Sequence, residues 1–330
     1  MTTYKEAGVD IEAGDAAVKR IGEIVKKSFT ENTLTDIGGF GGCFNFPKDD
    51  YDEPVLVSSA DGVGTKLKIA FLSNRHGTVG QCLVNHCVND ILAVGARPLF
   101  FLDYFATGKL EVDVLEDVVT GLSKACQENN CSLIGGETAE MPGFYQDGEY
   151  DMSGTIVGVV DRKYMLPNRK AEKDDLLIGL PSTGLHTNGY SLARKILLSK
   201  YNVTDYVDVL GGTISDTLLA IHKSYLHIAD GILEKKWLRG ISHITGGGIV
   251  NNTKRILEAD QVLDIDWTSW ERPAIYKLIQ ELGDVPEYDL RQSMNLGIGL
   301  IFVVHPDGLN ECLTHLDSLG EIYYELGKVS

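Results

Sequence analysis

The sequence of 330 residues has no apolar run near the roughly 18 residues that a membrane-spanning helix requires. Its N-terminal residues also lack the basic segment followed by an apolar stretch that marks a secretory signal. These two absences predict a cytoplasmic protein that does not contact a membrane.

Basic residues are few, because 30 lysines and arginines stand against 47 aspartates and glutamates, which gives a net charge of −17. Surfaces that bind nucleic acid need dense lysine and arginine, so this composition argues against a nucleic-acid partner. If the ligands are phosphates, an acidic protein must bind them with backbone N–H groups, a few cations and Mg²⁺.

The six cysteines are scattered, and no two have the C-x-x-C spacing typical of zinc or redox sites. We therefore expect free thiols in a reducing compartment. Hydrophobic residues make up 43% of the chain and charged residues 23%, which is typical of a globular protein, and the length suits two domains.

The predicted domains are residues 1–166 and 167–330. The segment 162–175 between them is charged, carries Pro167 and lacks apolar periodicity. The apolar pattern predicts helices near 13–29, 79–93, 112–128, 191–199, 216–234, 273–282 and 308–319. It predicts strands near 55–57, 99–106, 132–134, 155–160, 176–180, 241–244, 261–265, 297–304 and 322–326. Because neither half has a regular βαβ alternation, the predicted fold class is α+β, with mixed α/β sheets in both domains.

The residues suited to bind ligands or to catalyse a reaction lie in glycine-rich loops between these elements. The loop 38–42 places four glycines around Phe40. The backbone at Gly39 and Gly41 can therefore approach a phosphate with no Cβ in the way. An ordinary flexible turn is the alternative for this loop.

The segment 61–66, Asp-Gly-Val-Gly-Thr-Lys, follows a predicted buried strand and leads into a helix. Free N–H groups at such a start, near Gly62 and Gly64, favour an anion. Asp61 is suited to hold Mg²⁺, and the side chains of Thr65 and Lys66 to reach phosphate oxygens. The spacing is not that of a Walker A loop, and a structural turn with an exposed lysine is the alternative.

Two further acids lie beside amides or glycines. Asp90 follows Asn89 on the polar side of the predicted helix 79–93, one turn after His86, and Glu137 follows paired glycines after a strand. A solvated helix face and a tight turn are the ordinary alternatives. Together with Asp61, these acids predict one shared metal–phosphate site.

Two loops of the second half offer polar side chains between a strand and a helix. The first contains Thr183, Gly184, His186, Thr187 and Asn188. A histidine in such a loop is suited to bind phosphate or to transfer a proton near neutral pH. The second loop is His243-Ile-Thr-Gly246-Gly247-Gly, another turn suited to an anion. These parts are typical of phosphoryl transfer.

Several long blocks resemble the phosphoribosylformylglycinamidine cyclo-ligase family, also called aminoimidazole ribonucleotide synthetases. The similar blocks are residues 4–11, 38–42, 61–66, 87–90, 98–110 and 135–143. The resemblance runs nearly end to end. It implies a two-domain α+β fold that pairs as a homodimer through a sheet or barrel of the N-terminal domains.

The resemblance also implies an activity in purine biosynthesis. Formylglycinamidine ribonucleotide and ATP would give aminoimidazole ribonucleotide, ADP and phosphate through an iminophosphate, and the neighbouring amidine nitrogen would close the ring. It implies that Asp61, Asn89, Asp90 and Glu137 handle Mg²⁺ and the ATP phosphates. Lys27, Thr65 and Lys66 would balance phosphate charge. The loop 183–189 would bind the ribose phosphate, with His186 as acid or base.

The chain departs from the family pattern at residues 251–255 and at Met294, which concerns only the second-half site. Two alternative functions stay open. One is another ATP-using phosphoryl-transfer enzyme of the same superfamily, and the other is a nucleotide-binding module without turnover.

Overall fold

The computed structural model describes the backbone of residues 11–330 and the side chains from Lys19 onward. The block 4–11, which contributes to the family resemblance, therefore lies outside the described side chains. Both halves of the chain contain a sheet with helices packed against it, which confirms the α+β fold class.

The first sheet has four strands in the order β1-β4-β2-β3. Strands β2 and β3 are parallel, and the other neighbours are antiparallel. The elements of this half are α1 (Ile11–Lys26), β1 (Pro54–Gly62), α2 (Leu67–Ser73), α3 (Gly77–Leu92), β2 (Arg97–Thr107), α4 (Val112–Glu128), β3 (Ser132–Glu140) and β4 (Tyr150–Asp161).

Helix α3 is buried on nearly all sides, which is unusual for a helix that carries histidine, asparagine and aspartate. It lies between the sheet, α4 and the second half of the chain. Glycines allow its close approach to α4, since a Cβ on Gly80 would lie 2.2 Å from the carbonyl oxygen of Val118. A helix buried all round places its polar residues inside the protein, where each needs a partner.

The second sheet is antiparallel, with the order β8-β10-β5-β11-β9, and every residue of its strand β10 is buried. Its strands are β5 (Leu176–Pro181), β8 (Leu238–His243), β9 (Leu263–Ile265), β10 (Ile298–Val304) and β11 (Tyr324–Val329), and β6 (Tyr206–Val207) pairs separately with β7 (Gly212–Thr213). The helices are α5 (Tyr190–Leu197), α6 (Ile214–Leu218), α7 (Leu226–Ala229), α8 (Gly248–Thr253), α9 (Ala274–Gly283), α10 (Glu287–Ser293) and α11 (Leu309–Ser318).

Several predicted boundaries are wrong, most clearly those of β1, β3, β4 and the segment 216–234. Strand β1 continues through Asp61 and Gly62, and β3 continues through Glu137, because both segments pair with neighbouring strands instead of turning. The predicted helix 216–234 consists instead of α6, α7 and a short 3₁₀ turn, with a loop at 219–225. Backbone groups of that loop bond to side chains of α3, so tertiary contacts override its helical pattern.

Helix α10 was not predicted. Among the described residues, no helix is long and apolar enough to cross a membrane. All six cysteines are free thiols, as expected, and Cys43 is the exposed one.

Candidate active site

Four histidines meet between helix α3 and the second half of the chain. His86 comes from α3, His186 from the loop after β5, His222 from the loop after α6, and His243 from the end of β8. The rings of His186 and His222 stack with centroids 3.9 Å apart, and the rings of His86 and His243 meet edge to face at 5.1 Å. The two halves of the chain therefore build one imidazole cluster.

Each of two imidazoles in this cluster faces a carboxylate. His86 Nε2 lies 2.8 Å from Asp61 Oδ2, and His243 Nδ1 lies 2.8 Å from Asp90 Oδ1. The side chains of Asp61 and Asp90 are 40% and 29% exposed, whereas the two histidine side chains are almost fully buried. The carboxylates thus form the solvent-facing layer and the imidazoles the layer beneath.

Burial and hydrogen bonds set the protonation of this site. Burial acts to raise the pKa of Asp61 and of Asp90, but the hydrogen bonds and charges of His86 and His243 outweigh it, so both pKa values lie below the ordinary value. Burial lowers the pKa of His243, even though Asp90 acts to raise it. Two ionised carboxylates therefore face the solvent side at neutral pH.

The position of His186 does not fit the predicted acid–base role. The residue is 1% exposed, and burial lowers its pKa well below the ordinary value. Its Nε2 accepts the backbone N–H of Thr183, and its Nδ1 has no hydrogen-bond partner. A substrate therefore meets the partly exposed carboxylates first, since the His186 ring is buried and stacks on the equally buried ring of His222.

Lys66 was predicted to reach phosphate oxygens, and the structure corrects this prediction. The side chain is completely buried, and its Nζ donates to the carbonyl oxygens of His186 at 2.8 Å and Ala220 at 2.6 Å. Thr65 lies beside it with its hydroxyl 3.3 Å from that of Ser191. Lys66 is therefore used to join the first half of the chain to two loops of the second.

The two predicted substrate loops lie side by side. A Cβ on Gly246 would be 3.1 Å from Asn188 Oδ1, so the loop 183–189 touches the turn that contains Gly246 and Gly247. The carbonyl of Gly184 accepts from Tyr276 Oη at 2.8 Å and from Asn295 Nδ2 at 2.9 Å, and Thr183 Oγ1 donates to the Ile221 carbonyl.

Several residues at the edge of these loops fix their positions. Thr187 Oγ1 bonds to His86 Nδ1. Met294, one of the departures from the family pattern, lies against Gly189, and Asn252 donates to carbonyls of the neighbouring turn. Many hydrogen bonds thus hold both loops in place.

A second candidate region is a cleft of about 700 Å³ between α1, the loop 36–42 and the edge of β2 and β3. Gly39, Phe40, Gly41 and Glu137 line it, and the Phe40 side chain is fully exposed. Asp103 also lines it, and burial raises the pKa of its carboxyl to about 7. Lys27 is exposed beyond the end of α1 and does not line the cleft.

This cleft is separate from the histidine cluster within one chain. Strands β4 and β2 lie between Asp61 on β1 and Glu137 on β3, which places the two backbones about 14 Å apart at three strand spacings. The three predicted acids therefore do not surround one ion in a single chain. Asp61 and Asp90 are brought together with Gly62 and Asn89, and Glu137 is not.

The comparisons with known proteins agree with this architecture. The AIR synthase related protein family matches the chain twice, with its N-terminal domain at residues 47–160 and its C-terminal domain at residues 172–330. The chain belongs to this family.

Among named proteins, phosphoribosylformylglycinamidine cyclo-ligase of Thermoanaerobacter sp. (strain X514) is 46% identical over 99% of this chain and 97% of its own length. The protein of the same name from Sorangium cellulosum (strain So ce56) is 48% identical over 99% and 95%. Within the AIR synthase related proteins, the chain is therefore a member of the phosphoribosylformylglycinamidine cyclo-ligases.

A solved structure supports the fold alone. Thiamine-monophosphate kinase from Stenotrophomonas maltophilia K279a superposes with a TM-score of 0.71 at 18% identity, over 95% of this chain and 93% of that chain.

Sequence reasoning did not single out His222 or Asp103, and it mentioned His86 only as a neighbour of Asp90. His222 lies in a segment with a helical pattern, and nothing local indicates that it turns toward α3. Asp103 had one available signal, a lone acid inside the apolar strand pattern of 99–106.

Proposed function

We propose that this chain uses ATP to convert formylglycinamidine ribonucleotide to aminoimidazole ribonucleotide, with release of ADP and phosphate, in purine biosynthesis. The observation that carries the proposal is the pair of half-exposed carboxylates, Asp61 and Asp90, that face the glycine loops of the second half across the interface. Membership of the cyclo-ligase family supplies the reaction, and this arrangement supplies a place for it.

The chemistry needs an activated oxygen. The formyl oxygen attacks the γ-phosphorus of ATP, ADP leaves, and the formamide N–H loses its proton, which gives an iminophosphate. The amidine nitrogen then attacks the formyl carbon, the C–O bond breaks, and phosphate leaves with the oxygen. In both steps the protein acts mainly by positioning the reacting groups and stabilising their charge, and it forms no covalent bond to the substrate.

Asp61 and Asp90 are the residues that we assign to Mg²⁺. Their oxygens suit a hard cation that binds through one or two carboxylates and substrate phosphates. The low pKa of both acids keeps them ionised at neutral pH. When bound, Mg²⁺ neutralises charge on the transferring phosphoryl group. Asn89 contributes indirectly, since its side-chain amide bonds to the backbone of Lys223 and Tyr225 in the loop next to the site.

The two loops around Asn188 and Gly246 are assigned to the ribose phosphate of the substrate. Their backbone groups and the side chains of Thr187 and Asn188 lie at the interface, next to His243. We assign proton transfer to His243 instead of His186, because His243 contacts a half-exposed carboxylate and His186 does not. His186 is then a positioning residue through its stack on His222.

The cleft at Gly39, Phe40 and Gly41 is assigned to the nucleotide, and Glu137 is assigned to this cleft and not to the ion held by Asp61 and Asp90 of the same chain. We also propose a homodimer that forms through the face of the first sheet opposite its helices. Leu56 and Tyr104 on that face are 63% and 37% exposed. An apolar sheet face of this kind is expected to be covered. The proposed location is the cytoplasm.

One assay tests the function. Purified protein is given formylglycinamidine ribonucleotide, ATP and Mg²⁺, and ADP and the imidazole product are quantified together. We expect equal amounts of both. ADP release without ring closure, or no release at all, would contradict the proposal. Sedimentation analysis tests the homodimer, with Leu56→Lys as the variant that should dissociate it.

A further inference from the structure

The hydrogen bonds around His222 fix which nitrogen of each neighbouring histidine carries a proton. Asn89 Oδ1 accepts the backbone N–H of Tyr225 at 3.0 Å, and Asn89 Nδ2 donates to the carbonyl of Lys223 at 2.8 Å. A backbone N–H can only donate and a carbonyl can only accept, so the amide has one possible orientation.

The Asn89 amide then determines the tautomer of His222. Its Nδ2 lies 3.2 Å from His222 Nε2, so this ring nitrogen accepts and His222 carries its proton on Nδ1. His243 Nε2 lies 3.1 Å from the same His222 Nε2, so a proton on His243 Nε2 shares the one lone pair of that nitrogen with the Asn89 amide. In the neutral form of His243, the nitrogen left with a free lone pair is Nδ1.

That free nitrogen points at a carboxylate. His243 Nδ1 lies 2.8 Å from Asp90 Oδ1, while Asp90 Oδ2 is occupied by the Ser59 hydroxyl at 3.0 Å. Two lone pairs at such a distance repel each other unless a cation lies with them. The cation is either a proton or a metal ion.

A third ligand is close. His86, Asp90 and His243 each offer one ligand atom, and all three atoms lie within 4.8 Å of one another. Two ligands that share one zinc ion at about 2.1 Å lie at most about 4 Å apart, so a small side-chain shift completes the set. His86 Nδ1 faces Thr187 Oγ1, and His86 Nε2, which lies 2.8 Å from Asp61 Oδ2, would exchange that contact for the ion.

We propose that His86, His243 and Asp90 form a binding site for a late first-row divalent cation such as Zn²⁺. Imidazole nitrogens suit zinc and its neighbours, whereas Mg²⁺ prefers oxygen ligands. Metal-bound histidines usually donate their second ring N–H to a fixed acceptor, and His243 does so to His222. Binding does not depend on the proposed function, although it would place the ion on an acid that we assign to Mg²⁺.

The test is metal binding to the untagged full chain without ATP. Equilibrium dialysis against Zn²⁺ should give one ion per chain, and His86→Gln and His243→Gln should each weaken binding at least about 10-fold. His222→Gln, which keeps the ligands but removes their positioning residue, should weaken it about 10- to 100-fold and shift the Co²⁺ absorption spectrum. His227→Gln is the matched control, since its exposed ring pairs with Glu321 outside the cluster, and it should bind normally.

X-ray absorption of the zinc-loaded wild-type protein gives a result that does not depend on the folding of any variant. It should show nitrogen and oxygen ligands with imidazole scattering. Sulfur ligands, which would indicate the exposed Cys43, would overturn the proposal. Undiminished binding in a His86→Gln/His243→Gln double variant, or no binding by the wild type, would also overturn it. Loss of ring closure with normal zinc binding would count only against the proposed function.

Discussion

Asp90 and His243 lie 153 positions apart in the chain, yet Asp90 Oδ1 and His243 Nδ1 are 2.8 Å apart across the interface of the two halves. The acid belongs to a helix of the first half and the imidazole to the last residue of a strand in the second. The candidate active site therefore forms only when both halves are folded and docked.

Asp61→Asn should abolish most turnover while the fold stays intact. The substitution removes a charge that we assign to Mg²⁺, and it weakens the hydrogen bond with His86. We expect the apparent Mg²⁺ affinity in the ATP-dependent assay to fall about 10- to 100-fold. Asp113→Asn is the control, because that carboxylate is 91% exposed and pairs with Arg20 on the surface. A normal Mg²⁺ requirement in Asp61→Asn would remove this residue from the metal site.

Lys66→Met should lower the free energy of unfolding by about 2 kcal/mol, because it removes the Nζ donor from the buried carbonyl oxygens of His186 and Ala220 and leaves that of His186 with only the Tyr190 hydroxyl. Urea unfolding measures the change. Lys124→Met is the matched control, since Lys124 is 58% exposed and its surface pair with Glu128 is worth less than about 1 kcal/mol. Equal stability of the two variants would show that the ammonium contributes little.

His186 should make the protein less stable in acid. Burial holds its pKa well below the ordinary value, so the unfolded chain binds the proton more readily than the folded chain does. Stability is complete above about pH 6.5 and falls as the pH drops below it, by up to about 1.4 kcal/mol per pH unit for one such histidine.

His186→Asn is the matching variant. Asparagine tolerates the left-handed backbone at this position, where φ is +60°, and its side-chain oxygen is suited to accept the Thr183 N–H. Denaturant unfolding across this pH range should show a shallower loss of stability than in the wild type. An unchanged slope would mean that His186 does not titrate in this way.

Gly299→Ala should displace the residues that pack against the histidine cluster. A Cβ there would lie 2.0 Å from the Tyr225 hydroxyl and 2.7 Å from His186 Cε1, on a strand that is buried on both faces. We expect a loss of about 1–3 kcal/mol from overpacking, measured by thermal unfolding. Gly41→Ala should cost far less, because its Cβ would meet nothing within 4 Å.

The sequence was sufficient for the fold class and for most elements, since the apolar period is strong in segments such as 112–128, where the predicted and observed helices coincide. The sequence pattern was misleading where tertiary contacts determine how far a strand or helix extends. The glycines around Asp61 and Glu137 predict that the strands end there, yet both residues are paired with neighbouring strands.

The acids of the candidate site could be predicted from the sequence, but their arrangement in space could not. Asp61, Asp90 and the glycine loops carry local signals. The strand order that separates Glu137 from Asp61 has no local signal, because pairing between β1 and β4 joins distant segments. Lys66 follows a glycine and a threonine as a phosphate ligand would, and only the packing of the second half shows that it is buried.

The buried ammonium of Lys66 also bears on how the protein unfolds. Its donor belongs to one half and its acceptors, the carbonyls of His186 and Ala220, belong to the other. If the halves separated while each stayed folded, the Lys66 ammonium would lose both of its acceptors and the Ala220 carbonyl oxygen would lose its Nζ donor. Partial opening is therefore costly, and the two sheets should melt as one cooperative unit.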